Sequence, residues 1–168
     1  MSRNLIHSAF VWFVAALAVS MHAHAQSGGE RRAAPPAAPA RTHTTSDPPL
    51  VQLAILLDNS GSMSGLIEQA KSELWRVVNE LTAARQNGKR PGLQVALFTY
   101  GDPPARQLNG LTSDQDKVSE SLFAVSISGG SEYCGQVIQT ATRELAWSHS
   151  PHDLKLIFIA GNEPFTQG

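Results

Sequence analysis

The chain carries a single cysteine, Cys134, in 168 residues. One thiol cannot close an intramolecular disulfide, so a disulfide scaffold is excluded. Cys134 is expected to be a small buried side chain, with a reactive thiol or an intermolecular bridge as the alternative. No basic stripe is present, which argues against nucleic acid as a partner. No acidic block marks a charged tail, and the net charge is only -1. The chain has no internal repeat. It also lacks an apolar run of the roughly 20 residues that a spanning helix needs. What remains is an ordinary globular composition, 42% hydrophobic, with room for one domain plus extensions.

The N-terminus has the parts of a secretory leader. Arg3 gives a short positive region, Ile6 to Met21 is largely apolar with breaks at His7 and Ser8, and Ala23-His24-Ala25 is a small-residue cleavage site. Cleavage after Ala25 is expected to leave an exported protein, periplasmic or secreted, with no stable membrane span. No cysteine near that site could take a lipid anchor. Gln26 to Pro49 is rich in Ala, Pro, Ser, Thr and Arg and reads as a disordered or polyproline-like linker. Residues 1–25, 26–49 and 50–168 are thus expected to be leader, linker and domain.

Within the last segment, apolar runs alternate with amphipathic ones. Leu50 to Leu57 is nearly all apolar, as in a strand buried on both faces of a parallel sheet. Gly65 to Arg85 is predicted helical, with Ile67, Ala70, Leu74, Val77, Val78 and Leu81 in one stripe. Leu93 to Tyr100 is a second strand, Gly101 to Pro104 a turn and Ala105 to Leu111 a short edge strand. Ser113 to Phe123 is predicted helical, with Ser113 and Asp116 in capping-box positions. A serine- and glycine-rich loop over Ser126 to Ser131 precedes a helix over Glu132 to Trp147 and a third buried strand, Leu154 to Ala160. This order predicts an α/β fold, a doubly wound and mostly parallel sheet with helices on both faces. Ligands of such sheets bind at the carboxyl ends of the strands. Asp58, Asp102 and Gly161-Asn162-Glu163 all follow strands at that edge.

Asp58-Asn59-Ser60-Gly61-Ser62 stands where the first strand ends. In an extended loop, residues two apart point the same way, so Asp58, Ser60 and Ser62 can converge while Asn59 and Gly61 point away. One carboxylate and two hydroxyls form an all-oxygen set suited to Mg²⁺, with Mn²⁺ or Ca²⁺ as substitutes. The alternative is that Ser60 or Ser64 simply caps the next helix. Capping leaves Asp58 and the second serine unexplained.

These residues resemble the metal-ion-dependent adhesion site, with its D-x-S-x-S pattern, of the von Willebrand factor A domain family. Val95 to Asp102 is similar to the family's second core strand, Ser128-Gly129-Gly130-Ser131 to the loop that supplies a threonine to the site, and Leu156 to Ala160 to the strand before the last site aspartate. The resemblance implies a Rossmann-like fold and a divalent cation held by Asp58, Ser60, Ser62 and Ser131. It also implies a protein partner bound through a carboxylate on the cation, without catalysis. The chain departs from the family pattern where Ala160-Gly161-Asn162 replaces T-D-G, which puts Gly161 at the aspartate position. Asp58 is then the sole carboxylate of the set. Asp102, Glu132, Asn162 and Glu163 are the auxiliary candidates. The sequence stops at Gly168, just past the third core strand. A domain truncated at its C-terminus is therefore expected, with Leu154 to Ala160 exposed along one side and aggregation-prone.

Other chemistry fits less well. A haloacid-dehalogenase-like phosphatase would use Asp58 as a phosphoryl acceptor, but needs a second aspartate where Ser60 stands. A serine-hydrolase elbow needs Gly-x-Ser-x-Gly, and Gly61 to Gly65 has Met63 at its centre. Phosphate at the following helix N-terminus would be repelled by Asp58. A domain that keeps the fold and binds nothing is the remaining alternative. His149 and His152 flank Pro151 in a solvated turn, and Trp75 and Trp147 read as edge packing. Asp114, Asp116 and Glu120 read as a solvated helix face.

Overall fold

A computed structural model describes residues 15–18, 49–85, 88–102, 104–131 and 133–162, the first of these only as a paired strand. Its sheet is built around β2 (Leu50–Leu57), whose near-continuous apolar run is buried from Val51 onward. A strand this apolar needs cover on both faces and a partner on both edges. β3 (Gly92–Thr99) and β5 (Leu154–Ala160) flank it in parallel, with Leu53 opposite Val95 on one side and Leu156 on the other. β4 (Arg106–Thr112) adds antiparallel to β3 with two register shifts. β1 (Ala15–Ala18) adds antiparallel to β5, giving the order β1-β5-β2-β3-β4.

Alternation along the strands sorts the core into two layers. Leu53, Ile55 and Leu57 join Val95 and Leu97 on one face, against Met63 of a 3₁₀ turn (Gly61–Gly65) and Ile67, Leu74 and Val78 of α1 (Ile67–Ala83). Val118 and Leu122 of α2 (Gln115–Phe123) complete that layer. Ala54, Leu56, Ala96, Phe98 and Tyr100 face the other way, onto Cys134, Val137 and Ala141 of α3 (Cys134–Glu144). The fold is therefore α/β, as the alternation predicts, with helices on both faces of a mixed sheet whose centre, β5-β2-β3, is parallel and whose two outer strands are antiparallel. Gln52 is the one polar side chain inside β2. Its amide is satisfied, donating to Gln94 Oε1 at 2.8 Å and accepting from Ser148 N at 2.7 Å.

Several expectations need correction. The helix placed at Gly65 begins as the 3₁₀ turn, and α1 proper starts at Ile67. The cap of α2 is Asp114, not Ser113: its Oδ1 accepts from Lys117 N at 3.0 Å. α3 is shorter than 132–147. Trp147 lies beyond its end, and the indole folds back to donate to Ala141 O at 3.0 Å. The open edge expected on Leu154 to Ala160 is covered by β1, with Ala15 opposite Ile159 and Ala18 opposite Leu156. That cover comes from inside the segment with leader-like features. The linker at 26–49 lies outside the described residues except for its last position. Among the described residues no helix is long and apolar enough to cross a membrane.

Candidate functional site

The carboxyl ends of β2, β3 and β5 meet at one place, stitched together by backbone hydrogen bonds. Asp58 N donates to Ala160 O at 2.8 Å, and Tyr100 N to Leu57 O at 3.2 Å. The loop after α2 closes over them: Ser128 N donates to Asn59 O at 2.7 Å, Gly61 N to Gly129 O at 3.1 Å and Ser131 N to Gly101 O at 3.1 Å. Gly129 makes the closure feasible. Its φ is +81°, and a Cβ there would lie 2.1 Å from Asp102 Oδ1. Gly101 is equally confined, since a Cβ would sit 2.2 Å from Ser128 O.

Asp58 is buried at the floor of this junction, and its Oδ1 accepts from Ser60 N at 2.8 Å. Ser60 is also buried, and its Oγ lies 2.9 Å from Ser62 Oγ. Ser62 is exposed and donates to Asn162 Oδ1 at 3.0 Å, bringing in a residue from beyond β5. Asn162 Nδ2 in turn reaches Ser62 O at 3.4 Å. A run of hydrogen bonds thus links the buried carboxylate, through Ser60 and Ser62, to Asn162. The capping alternative does not hold: Ser60 makes no side-chain cap, and the N-cap of α1 is Leu66.

The von Willebrand factor type A domain profile matches residues 53–162, which span β2 through the end of β5 and both sides of this junction. The chain belongs to this family. No curated protein matches the chain. Among solved structures it is similar to the conserved hypothetical protein BatB from Bacteroides thetaiotaomicron, at 26% identity and a TM-score of 0.48, covering 61% of this chain and 49% of that one. It is also similar to the vWF domain of the type V pili tip protein Mfa5 from Porphyromonas gingivalis, at 20% identity and a TM-score of 0.46, covering 62% and 37%. A third similarity is to proximal thread matrix protein 1 from the mussel byssus, with a zinc-occupied MIDAS motif, at 18% identity and a TM-score of 0.47, covering 61% and 26%. The chain spans about half or less of the length of these three proteins.

Within this von Willebrand factor A domain, the residues singled out from sequence fall into three groups. Asp58, Ser60, Ser62 and Asn162 come together. Ser131 and Asp102 line a small crevice with Tyr100 and Tyr133, and Asp102 Oδ2 accepts from Ser128 Oγ at 3.0 Å. Glu132 and Glu163 lie outside the described residues. Asn59, expected only to point away, has a role that the spacing argument missed. Its Oδ1 accepts from Gly101 N at 2.9 Å and its Nδ2 donates to Ser126 O at 3.0 Å, so one amide ties three loops. A side chain that both donates and accepts was the available signal.

The donors that converge are hard oxygens: one carboxylate, two hydroxyls and an amide carbonyl. That chemistry suits Mg²⁺ or another hard divalent cation better than a soft metal. Among the described residues no three His, Cys, Asp or Glu side chains cluster. Beside the junction, a cleft of about 600 Å³ opens between β4 and the end of α2, lined by Thr99, Asp102, Arg106, Ser121, Ser126 and Ser128 among others.

Proposed function

We propose that this von Willebrand factor A domain is an exported binding module that recognises a protein partner through a divalent cation held by Asp58, Ser60 and Ser62. The observation that carries the reading is the hydrogen-bonded grouping of Asp58, Ser60, Ser62 and Asn162 at the carboxyl end of the central strand. Domains of this family are generally binding modules, and their members often mediate protein–protein interaction. When bound, the cation supplies an open coordination position for an anionic oxygen of the partner, most simply a carboxylate. Asp58 anchors the set from the floor, Ser60 and Ser62 present their hydroxyls, and Asn162 holds Ser62 in place. We assign Ser131 and Asp102 to the rim of the site. The leader-like residues 1–25 support export to a periplasm or beyond.

The test is a calorimetric titration of Mg²⁺ and Mn²⁺ into residues 26–168, beside Asp58→Ala and Ser62→Ala. Saturable binding that Asp58→Ala abolishes and Ser62→Ala weakens is the expected outcome. A cooperatively folded protein that takes up neither ion would sink the proposal. Turnover of phosphoesters through an aspartyl intermediate on Asp58 would replace it with a phosphatase.

A further inference from the structure

Gly161 sits where β5 ends, and a Cβ placed on it would lie 2.5 Å from Tyr100 Oη, 3.1 Å from Asp58 Oδ2 and 3.2 Å from Asp58 Cβ. The first of these distances is far inside any real contact. Tyr100 leaves the end of β3, while Ala160 ends β5 and Gly161 follows it, and β2 lies between the two strands. The ring therefore crosses over the end of β2, above Asp58, and its hydroxyl donates to Ala160 O at 3.3 Å. Only 3% of Tyr100 is exposed, so the ring is held among protein atoms.

We propose that Tyr100 and Gly161 form an interlocked pair that keeps a second carboxylate from entering the junction at position 161: the phenol fills the volume over Asp58 that any side chain there would need. The phenol donates to Ala160 O and adds an oxygen, but no formal charge, near the buried carboxylate. Tyr100 is thus a positioning residue that determines the charge of the site. A cation held there keeps most of its charge, which raises the demand for an anionic partner. The steric interlock stands on geometry alone, whereas its consequence for cations rests on the function proposed above.

The test has two arms. In the first, thermal unfolding of the full chain is followed in chelator for Gly161→Ala, Tyr100→Phe and the double variant. Gly161→Ala alone is expected to lower Tm by roughly 5 °C or more, since the hydroxyl must be displaced. In the Tyr100→Phe background the same change is expected to cost far less, because the clashing oxygen is gone. Additive Tm shifts would overturn the interlock.

In the second arm, Mn²⁺ is titrated into the parent, Gly161→Asp, and Tyr100→Phe with Gly161→Asp. Oxygen-ligand sites tighten with each added charged ligand. The double variant is expected to bind at least about tenfold tighter than the parent, and Gly161→Asp alone to gain little. A double variant no tighter than the parent would overturn the charge-setting role. A double variant that gains Mn²⁺ binding over a parent with none would support the pair while sinking the cation-dependent function of the natural site.

Discussion

Asn59 accepts from Gly101 N and donates to Ser126 O, and Gly101 is buried. Replacing Asn59 by leucine leaves that buried N–H without its acceptor, at a cost of about 1–3 kcal/mol. Asn59→Leu is therefore expected to lower the denaturant midpoint by that amount, while Asn59→Asp, which keeps the acceptor, costs less. Equal losses for the two would show that the amide acceptor is not what holds the loops. Asp58 separates in the same manner. Its Oδ1 accepts from Ser60 N, a bond that an asparagine oxygen can also make. Asp58→Asn is expected to leave urea stability within about 1 kcal/mol of the parent and to abolish Mn²⁺ uptake, whereas Asp58→Ala loses both. Mn²⁺ binding retained in Asp58→Asn would show that the negative charge is dispensable.

α2 shows how a helix start is decided. Ser113 and Asp114 are both good caps by residue type. The structure uses Asp114, whose carboxylate reaches Lys117 N, while Asp114 N itself donates to Thr112 Oγ1 at 3.1 Å. Asp114→Ala is expected to cost about 1 kcal/mol in chemical denaturation, and Ser113→Ala almost nothing. The reverse ranking would return the cap to Ser113. This difference marks the limit of what could be read from sequence. β2, β3 and β5 were legible because their apolar runs admit only burial on both faces. The spacing of Asp58, Ser60 and Ser62 was legible because the contact is local in the chain. Asn59 was not, because its partners Gly101 and Ser126 are set by which loops the topology brings together. The space above Gly161 was not either. A missing side chain is visible in the sequence, but the tyrosine from another strand that fills its place is not.

At the scale of the whole molecule, the sheet is finished on the β5 side by β1, a strand drawn from the leader-like segment. β5 is apolar along most of its length, and Ile157, Ile159 and Ala160 are buried. A strand of this kind with an open edge is a template for pairing with other chains. Removing residues 1–25 deletes β1 while leaving β2, β3 and the Asp58 junction intact. Hydrogen exchange measured by mass spectrometry is then expected to speed up over 154–160, where the amides facing β1 lose their acceptors, and to stay unchanged over 51–57. The truncated protein is also expected to self-associate more strongly in sedimentation velocity at the same concentration. Identical exchange over 154–160 in both forms would mean that β1 contributes no lasting protection to this edge. Faster exchange without association would mean that Lys155, the one charge on β5, guards the edge by itself.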